Sequence, residues 1–393
     1  MQHLLSHFKE LTVLPQNAEE LKGLILQLAV QGKLTKKWRL ENTSNETGEE
    51  LFHRITIEKE RLIKEKKYKA KYDTDRFEPL IERPRIPDTW IYVTVGNICE
   101  LLTGATPSKT KSEYFDGNIK WLVSGDIHKG YINDCAGRIT QLGMESSNCK
   151  ILPVDSIMIA LNGQGKTRAT VALLKTEATC NQSLVAMKPF IDDSNLSEYI
   201  YYLLKGKYYQ IRDITGQKQR RGLNMTLVSQ LPVALPPLEE QKAIVSIVNQ
   251  LFAEVEQLEA ATKERVRLKE DYVTSALSRI TEGNTVQEWA ALQPHFKTFF
   301  TETQNIKSLR ESILQLAVQG KLTRNWRKAH PELIKGDHSA KALLERIKVE
   351  KARLIADKKI KKEKPLPAIN EDEIPYELPE GWEWCRLGEL ITF

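Results

Sequence analysis

Hydrophobic positions near the start of the chain recur every three or four residues. Ala18, Leu21, Ile25 and Leu28 fall on one side of a helix, and Gly32 follows where such a helix stops. Ile306, Leu309, Ile313 and Leu316 repeat the spacing much later, with Gly320 in the same place. The agreement goes beyond pattern. Residues 25–35 and 313–323 both read Ile-Leu-Gln-Leu-Ala-Val-Gln-Gly-Lys-Leu-Thr, and each copy runs on into a Trp-Arg pair, Trp38-Arg39 and Trp326-Arg327. An internal repeat of this length organises the rest of the reading. It predicts two helices, each with an apolar stripe to bury and each ended by a glycine in the left-handed conformation. After a short insertion the repetition continues. Residues 51–63 match 343–355, Ile86-Pro87-Asp88-Thr89-Trp90 matches Leu378-Pro379-Glu380-Gly381-Trp382, and Gly96 matches Gly388.

Between the two copies the period changes twice. A polar loop at 41–48 leads into a strongly charged helix at 49–71. From about residue 80, prolines 79, 84 and 87 end helical structure, and short β-rich segments follow at 90–95, 119–123, 151–161, 169–174 and 184–188. A Tyr-rich helix is predicted around 196–212, and Leu231–Pro237 closes this α/β domain. Then Ile244, Val248, Leu251, Val255, Leu258 and Thr262 alternate four and three apart; after a slip the pattern resumes at Val266, Val273, Leu277 and Ile280. That is heptad spacing over a helix of roughly 60 Å. Residues 281–304 read as a turn, and the second repeat helix returns to complete an antiparallel hairpin. The predicted fold class is an α/β (α+β) domain plus a long antiparallel α-helical coiled-coil spacer. The predicted segments are 1–79, helical repeat; 80–237, α/β domain; 238–335, coiled-coil hairpin; 336–377, charged helix and linker; and 378–393, the start of a second α/β domain cut short at Phe393.

Charge and cysteine usage narrow the function classes only slightly. Lys and Arg number 58 against 52 Asp and Glu, a formal net charge of +6 that suits a polyanionic partner without requiring one. No apolar run approaches the length of a membrane span. Five cysteines without CxxC spacing predict a reduced, cytoplasmic protein with no structural zinc, and the seven histidines show no ligand spacing. One segment resembles a phosphate loop: Ala160-Leu161-Asn162-Gly163-Gln164-Gly165-Lys166-Thr167. A phosphate loop opens a helix, whereas Arg168–Leu174 reads as a strand, so a Gly-rich turn between strands is preferred. A nucleotide hydrolase around Lys166 is the alternative. No nucleophile arrangement, nuclease carboxylate cluster or Asn-Pro-Pro-Tyr-type motif is found, and the chain is read as non-catalytic. What remains are three loops with DNA-compatible chemistry. Thr106, Ser108, Lys109 and Lys111 form the first; Asn162, Gln164, Lys166 and Arg168 the second; Gln217, Lys218, Gln219, Arg220 and Arg221 the third. Arg suits guanine, Asn and Gln suit adenine, and Ser, Thr and Lys suit phosphates. A coiled-coil adaptor blind to DNA is the other alternative.

At this point a family resemblance emerges. Leu235-Pro236-Pro237-Leu238-Glu239-Glu240-Gln241 opening a long helix, Gly-Lys-Leu-Thr-x-x-Trp-Arg in both copies, Asn181-Gln182-Ser183-Leu184, and Ile86-Pro87-x-x-Trp90 carry it. Together they resemble the specificity subunits of type I restriction–modification systems. The resemblance implies that 80–237 is a target-recognition domain reading half of a split site in double-stranded DNA. It implies helical spacers that dock modification (methyltransferase) subunits and, through them, the restriction subunit. Catalysis, with S-adenosylmethionine, ATP and Mg, is then expected only in those partner subunits. The chain departs from that pattern in carrying only the opening of a second recognition domain, which suggests that two copies associate through the long helices to restore a two-domain reader.

Overall fold

The computed structural model describes residues 16–42, 46–70, 81–163, 165–215, 222–362 and 364–391. The chain divides into two units, Met1–Thr262 and Lys263–Phe393. In the first, the repeat helix α1 (Asn17–Val30) ends at Gly32, whose φ of 64° is left-handed. A short α2 (Lys36–Glu41) follows, and the charged α3 (Gly48–Lys64) begins with a Thr47/Glu50 capping box.

Among the described residues, ten strands and five helices then build the α/β part. They are β1 (Ile91–Thr94), α4 (Val95–Ile98), β2 (Cys99–Thr103), β3 (Phe115–Leu122), β4 (Tyr131–Ile132), β5 (Arg138–Ile139), α5 (Gln141–Glu145), β6 (Ile157–Ala160) and β7 (Val171–Leu174). After them come β8 (Thr179–Cys180), β9 (Leu184–Pro189), α6 (Ser194–Gly206), α7 (Tyr208–Asp213), α8 (Met225–Ser229) and β10 (Pro232–Leu235). The central sheet has the order β2-β9-β6-β7-β4, antiparallel except for the β4–β7 pair. β5-β3-β8 and β1-β10 form two smaller sheets.

Strands β6 and β7 are apolar at every position, and β9 at all but the exposed Lys188, because both faces are covered. Ile157, Ile159, Val171, Leu173, Val185 and Met187 pack with the helices, whereas Met158, Ala160, Ala172, Leu174 and Ala186 pack with Leu122, Ile132 and Leu152 on the other side. Residues 151–156, expected as strand, are not: Pro153 interrupts them and Asp155 has a φ of 64°. β2 and β10 were not anticipated; each is short, and β10 lies between prolines.

A buried carboxylate ties this unit together. The long helix α9 (Leu238–Glu282) opens after Pro236-Pro237, and its Glu240 is buried. Glu240 Oε1 accepts hydrogen bonds from the Thr35 hydroxyl at 2.6 Å and from the Arg39 guanidinium, and Oε2 accepts from the Trp90 indole at 2.8 Å. Arg39 also donates to the Gly32 carbonyl at 2.7 Å and lies over the Trp90 ring. One side chain thus joins the repeat turn, the entry to the α/β part and the start of the long helix. Further along, Ile244, Val248, Leu251 and Val255 are buried in the same core as Ala18, Leu21, Ile25 and Tyr199.

In the second unit the end of α9 presents Val273, Ala276, Leu277 and Ile280 to Leu292, Phe300 and Leu316. The segment expected as a turn is folded: α10 (Thr285–Leu292) and α11 (Phe296–Phe299) hold a stack in which Phe296 meets Phe300 at 4.6 Å and Tyr272 meets Phe299 at 4.4 Å. The second repeat helix α12 (Thr303–Val318) returns alongside, with Leu309 and Leu316 on the contact. It is followed by α13 (Arg324–Ala329), α14 (Ala340–Ala356) and α15 (Leu387–Leu390).

The second copy reproduces the turn and several bonds of the first. Gly320 has a φ of 67°, and Arg327 donates to its carbonyl at 2.6 Å and lies over Trp382 as Arg39 lies over Trp90. Gly48 N–H donates to Thr89 and Lys59 to Gly96; Ala340 N–H donates to Gly381 and Lys351 to Gly388. Burial is what differs. Ile25, Leu26 and Val30 are 2%, 3% and 6% exposed, whereas Ile313, Leu314 and Val318 are 45%, 66% and 54% exposed. The predicted stripe of the second copy is therefore only partly covered, since Ile306 and Ile313 face outward.

Candidate nucleic-acid interface

Antiparallel pairing delivers several chain ends to one edge of the central sheet. β2 and β6 finish there, and β7 and β9 begin there. The loops that follow are stitched to one another. The Leu161 amide donates to the Ser183 carbonyl at 2.9 Å, the Asn181 amide to Leu122 at 2.9 Å, and the Leu223 amide to Leu161 at 2.9 Å. The Thr106 hydroxyl donates to Gln182 Oε1 at 2.7 Å. Two glycines permit these approaches: a Cβ on Gly104 would meet the Cys180 carbonyl, and one on Gly222 would meet the Asn162 side chain. His128 and the Thr167 hydroxyl are 3.0 Å apart, and Tyr208 donates to the Lys166 carbonyl at 2.8 Å.

Not every candidate residue stands open on this edge. Ser108, Lys109, Asn162 and Lys166 are exposed, and Thr106 is half-buried. Lys109 and Lys166 have no ion-pair partner among the described residues, so their charge is available to an anion. Lys111 is exposed but engaged. Its ammonium donates to the Tyr114 hydroxyl at 3.0 Å, which raises the lysine pKa and lowers that of the phenol. Arg168 is buried, with its carbonyl accepting from Arg212 at 3.1 Å, so it supports the loop from within and is not part of the open face. Gln164 and Gln217–Arg221 lie outside the described residues. Asn181, Gln182 and Trp121 are on this edge and were not named as contacts from sequence. The amide pair directly before a strand was the signal available for the first two.

The same geometry removes the nucleotide alternative. Asn162–Ala169 connects two antiparallel strands: Ala160 N–H donates to Thr170 at 3.0 Å, and Ala169 N–H donates back to Ala160 at 2.9 Å. No helix N-terminus follows Lys166 to face a phosphate. Among the described residues no cluster of His, Cys, Asp or Glu is arranged to hold a metal ion, and no helix is long and apolar enough to cross a membrane. The five cysteines are free thiols; burial alone pushes Cys99 far up, and Cys180 is raised to about 12, also mainly by burial.

Comparison with known proteins agrees with this architecture. Residues 87–268 match the model of the type I restriction modification DNA specificity domain. The chain is 30% identical over 396 residues to the type I restriction enzyme EcoAI specificity subunit of Escherichia coli, covering 95% of this chain and 62% of that protein. It is 31% identical over 397 residues to the EcoEI specificity subunit of Escherichia coli, with the same coverages. The chain therefore spans less than two thirds of the length of these curated relatives. Among solved structures it is similar to the HsdS subunit from Thermoanaerobacter tengcongensis, with a TM-score of 0.36 and 17% identity over 60% of this chain and 51% of that one. Residues 87–268 thus match the type I restriction modification DNA specificity domain, and nearly the whole chain is similar to specificity subunits of type I restriction enzymes.

Proposed function

We propose that this chain is a DNA-reading, non-catalytic subunit of a type I restriction–modification assembly. The observation that carries this reading is the convergence of residues 104–109, 161–166 and 181–183 on one sheet edge. Hydroxyls, amides and two lysines without an ion-pair partner among the described residues face out there, within the domain that the family model matches. Lysines and hydroxyls suit phosphates, and amides suit base edges. Gln217, Lys218, Gln219, Arg220 and Arg221 are further proposed DNA contacts. The helices dock the modification subunits, and through them the restriction subunit, in the cytoplasm. S-adenosylmethionine, ATP and Mg belong to those partners.

The second copy of the repeat supports a further part of the proposal. Its turn, its Arg327 and its Trp382 stand as Arg39 and Trp90 do, but with the covering face open. Residues 378–393 accordingly open a second recognition unit, and association of two copies through the long helices is one way to bring two such units to a split site.

The test is DNA binding by the full chain, alone and with its modification subunit, over a range of salt. Log affinity is expected to fall linearly with log salt. Lys109→Glu with Lys166→Glu should weaken binding across sequences and reduce the slope by roughly two. Binding that ignores salt, or is unchanged by the double variant, contradicts the proposal.

A further inference from the structure

The polar edge carries one apolar depression. It measures about 600 Å³ and lies between the 104–111 loop and the end of β3, with Phe115, Trp121 and Val123 as its apolar walls. Thr106, Lys109, Asn181 and Gln182 form its polar rim. The Trp121 ring is held in place: its Nε1 donates to the Ala105 carbonyl at 3.0 Å, and it meets Phe115 edge-on at 6.1 Å and 73°. With its only donor used inside the protein, the indole offers apolar surface and nothing else. Val123 is 37% exposed beside it. Gln182 Oε1 accepts from Thr106, which leaves its second lone pair and its amide N–H groups without a partner among the described residues.

An apolar wall next to a carboxamide matches one element of the DNA major groove. The only apolar group that groove presents is the C5-methyl of thymine, and the base paired to it presents N6 and N7, which a carboxamide reads in a bidentate way. A phosphate could pair with Lys109 at the rim but would leave Trp121 and Val123 against a charged group, and a guanine–cytosine pair would leave the apolar wall facing polar edges. We propose that this depression reads an adenine–thymine pair, with the thymine methyl against Trp121 and Val123 and the adenine on Gln182. The proposal rests on the reading that this edge faces DNA, and it gives that edge a base preference.

The probe is a set of duplexes enriched from a random pool by the full chain with its modification subunit, then resynthesised with deoxyuridine in place of thymine at one position at a time. Uracil lacks only the methyl, so one position in each enriched duplex should weaken binding about four-fold, the worth of one buried methyl-sized group. Trp121→Ala should abolish the difference between thymine and uracil at that position. Val123→Ser, at an exposed site with little bearing on folding, should reduce it. Gln182→Ala should relax the preference for the pair itself. Equal binding of thymine and uracil duplexes at every position overturns the proposal, as does discrimination that survives both Trp121→Ala and Val123→Ser. Failure to enrich any duplex overturns the DNA-reading function together with it.

Discussion

Residue types in a loop advertise chemistry, but only packing decides which of them face outward. Lys109, Asn162 and Lys166 were legible as candidate contacts, and the structure leaves them exposed. Arg168 has the same composition signal and is buried, because the backbone at Ala169 turns through a φ of 67° to re-enter β7. Trp121 was not legible, since an aromatic in a strand ordinarily belongs to a core. Lys207 shows the opposite surprise. It is buried at the α6–α7 junction with no hydrogen-bond partner for its ammonium among the described residues, and burial, with the nearby Arg83 charge, brings its pKa down to about 8. The unfolded chain binds this proton more tightly than the folded one, so stability should climb as pH rises from 8 towards 10. Above that, Tyr131 and the buried Tyr199, whose pKa values are raised, should reverse the trend. Lys207→Met is expected to add roughly 1–3 kcal/mol at pH 7 and to flatten the climb, as measured by urea unfolding at several pH values. An unchanged slope would show that the ammonium is solvated.

At the level of elements, periodicity revealed the repeat helices, the glycine stops and the long helix, because each depends on local spacing. β2 and β10 escaped, since four or five residues carry too little alternation to stand out, and β10 owes its place to pairing with β1. The same eleven letters end up buried in one copy and half exposed in the other, so their burial is a property of what covers them. The role of Glu240 was only half visible. A carboxylate in a first helical turn is unremarkable, yet this one is enclosed by Thr35, Arg39 and Trp90. Glu240→Ala leaves the Arg39 charge without its buried partner and should cost about 3–5 kcal/mol. Arg327→Ala, at the counterpart of Arg39 in the second copy, should change stability by no more than about 0.5 kcal/mol. Equal losses in the two variants would mean that the first clamp holds little together.

For the molecule as a whole, the α/β domain and the coiled-coil spacer were readable in outline. The division of the chain inside α9, near Thr262, falls at the slip in the heptad spacing, but one continuous helix runs through it, so the slip did not read as a boundary. The convergence of three loops on one sheet edge was also hidden, as it follows from strand order and not from sequence distance. That convergence is the account's central claim, and hydrogen–deuterium exchange of the full chain with its modification subunit, with and without enriched duplex, tests it most directly. Protection on adding DNA should appear in residues 104–110, 161–167 and 181–183 together, and fade as salt is raised. Protection confined to the helices, with all three loops exchanging as freely as before, would contradict it.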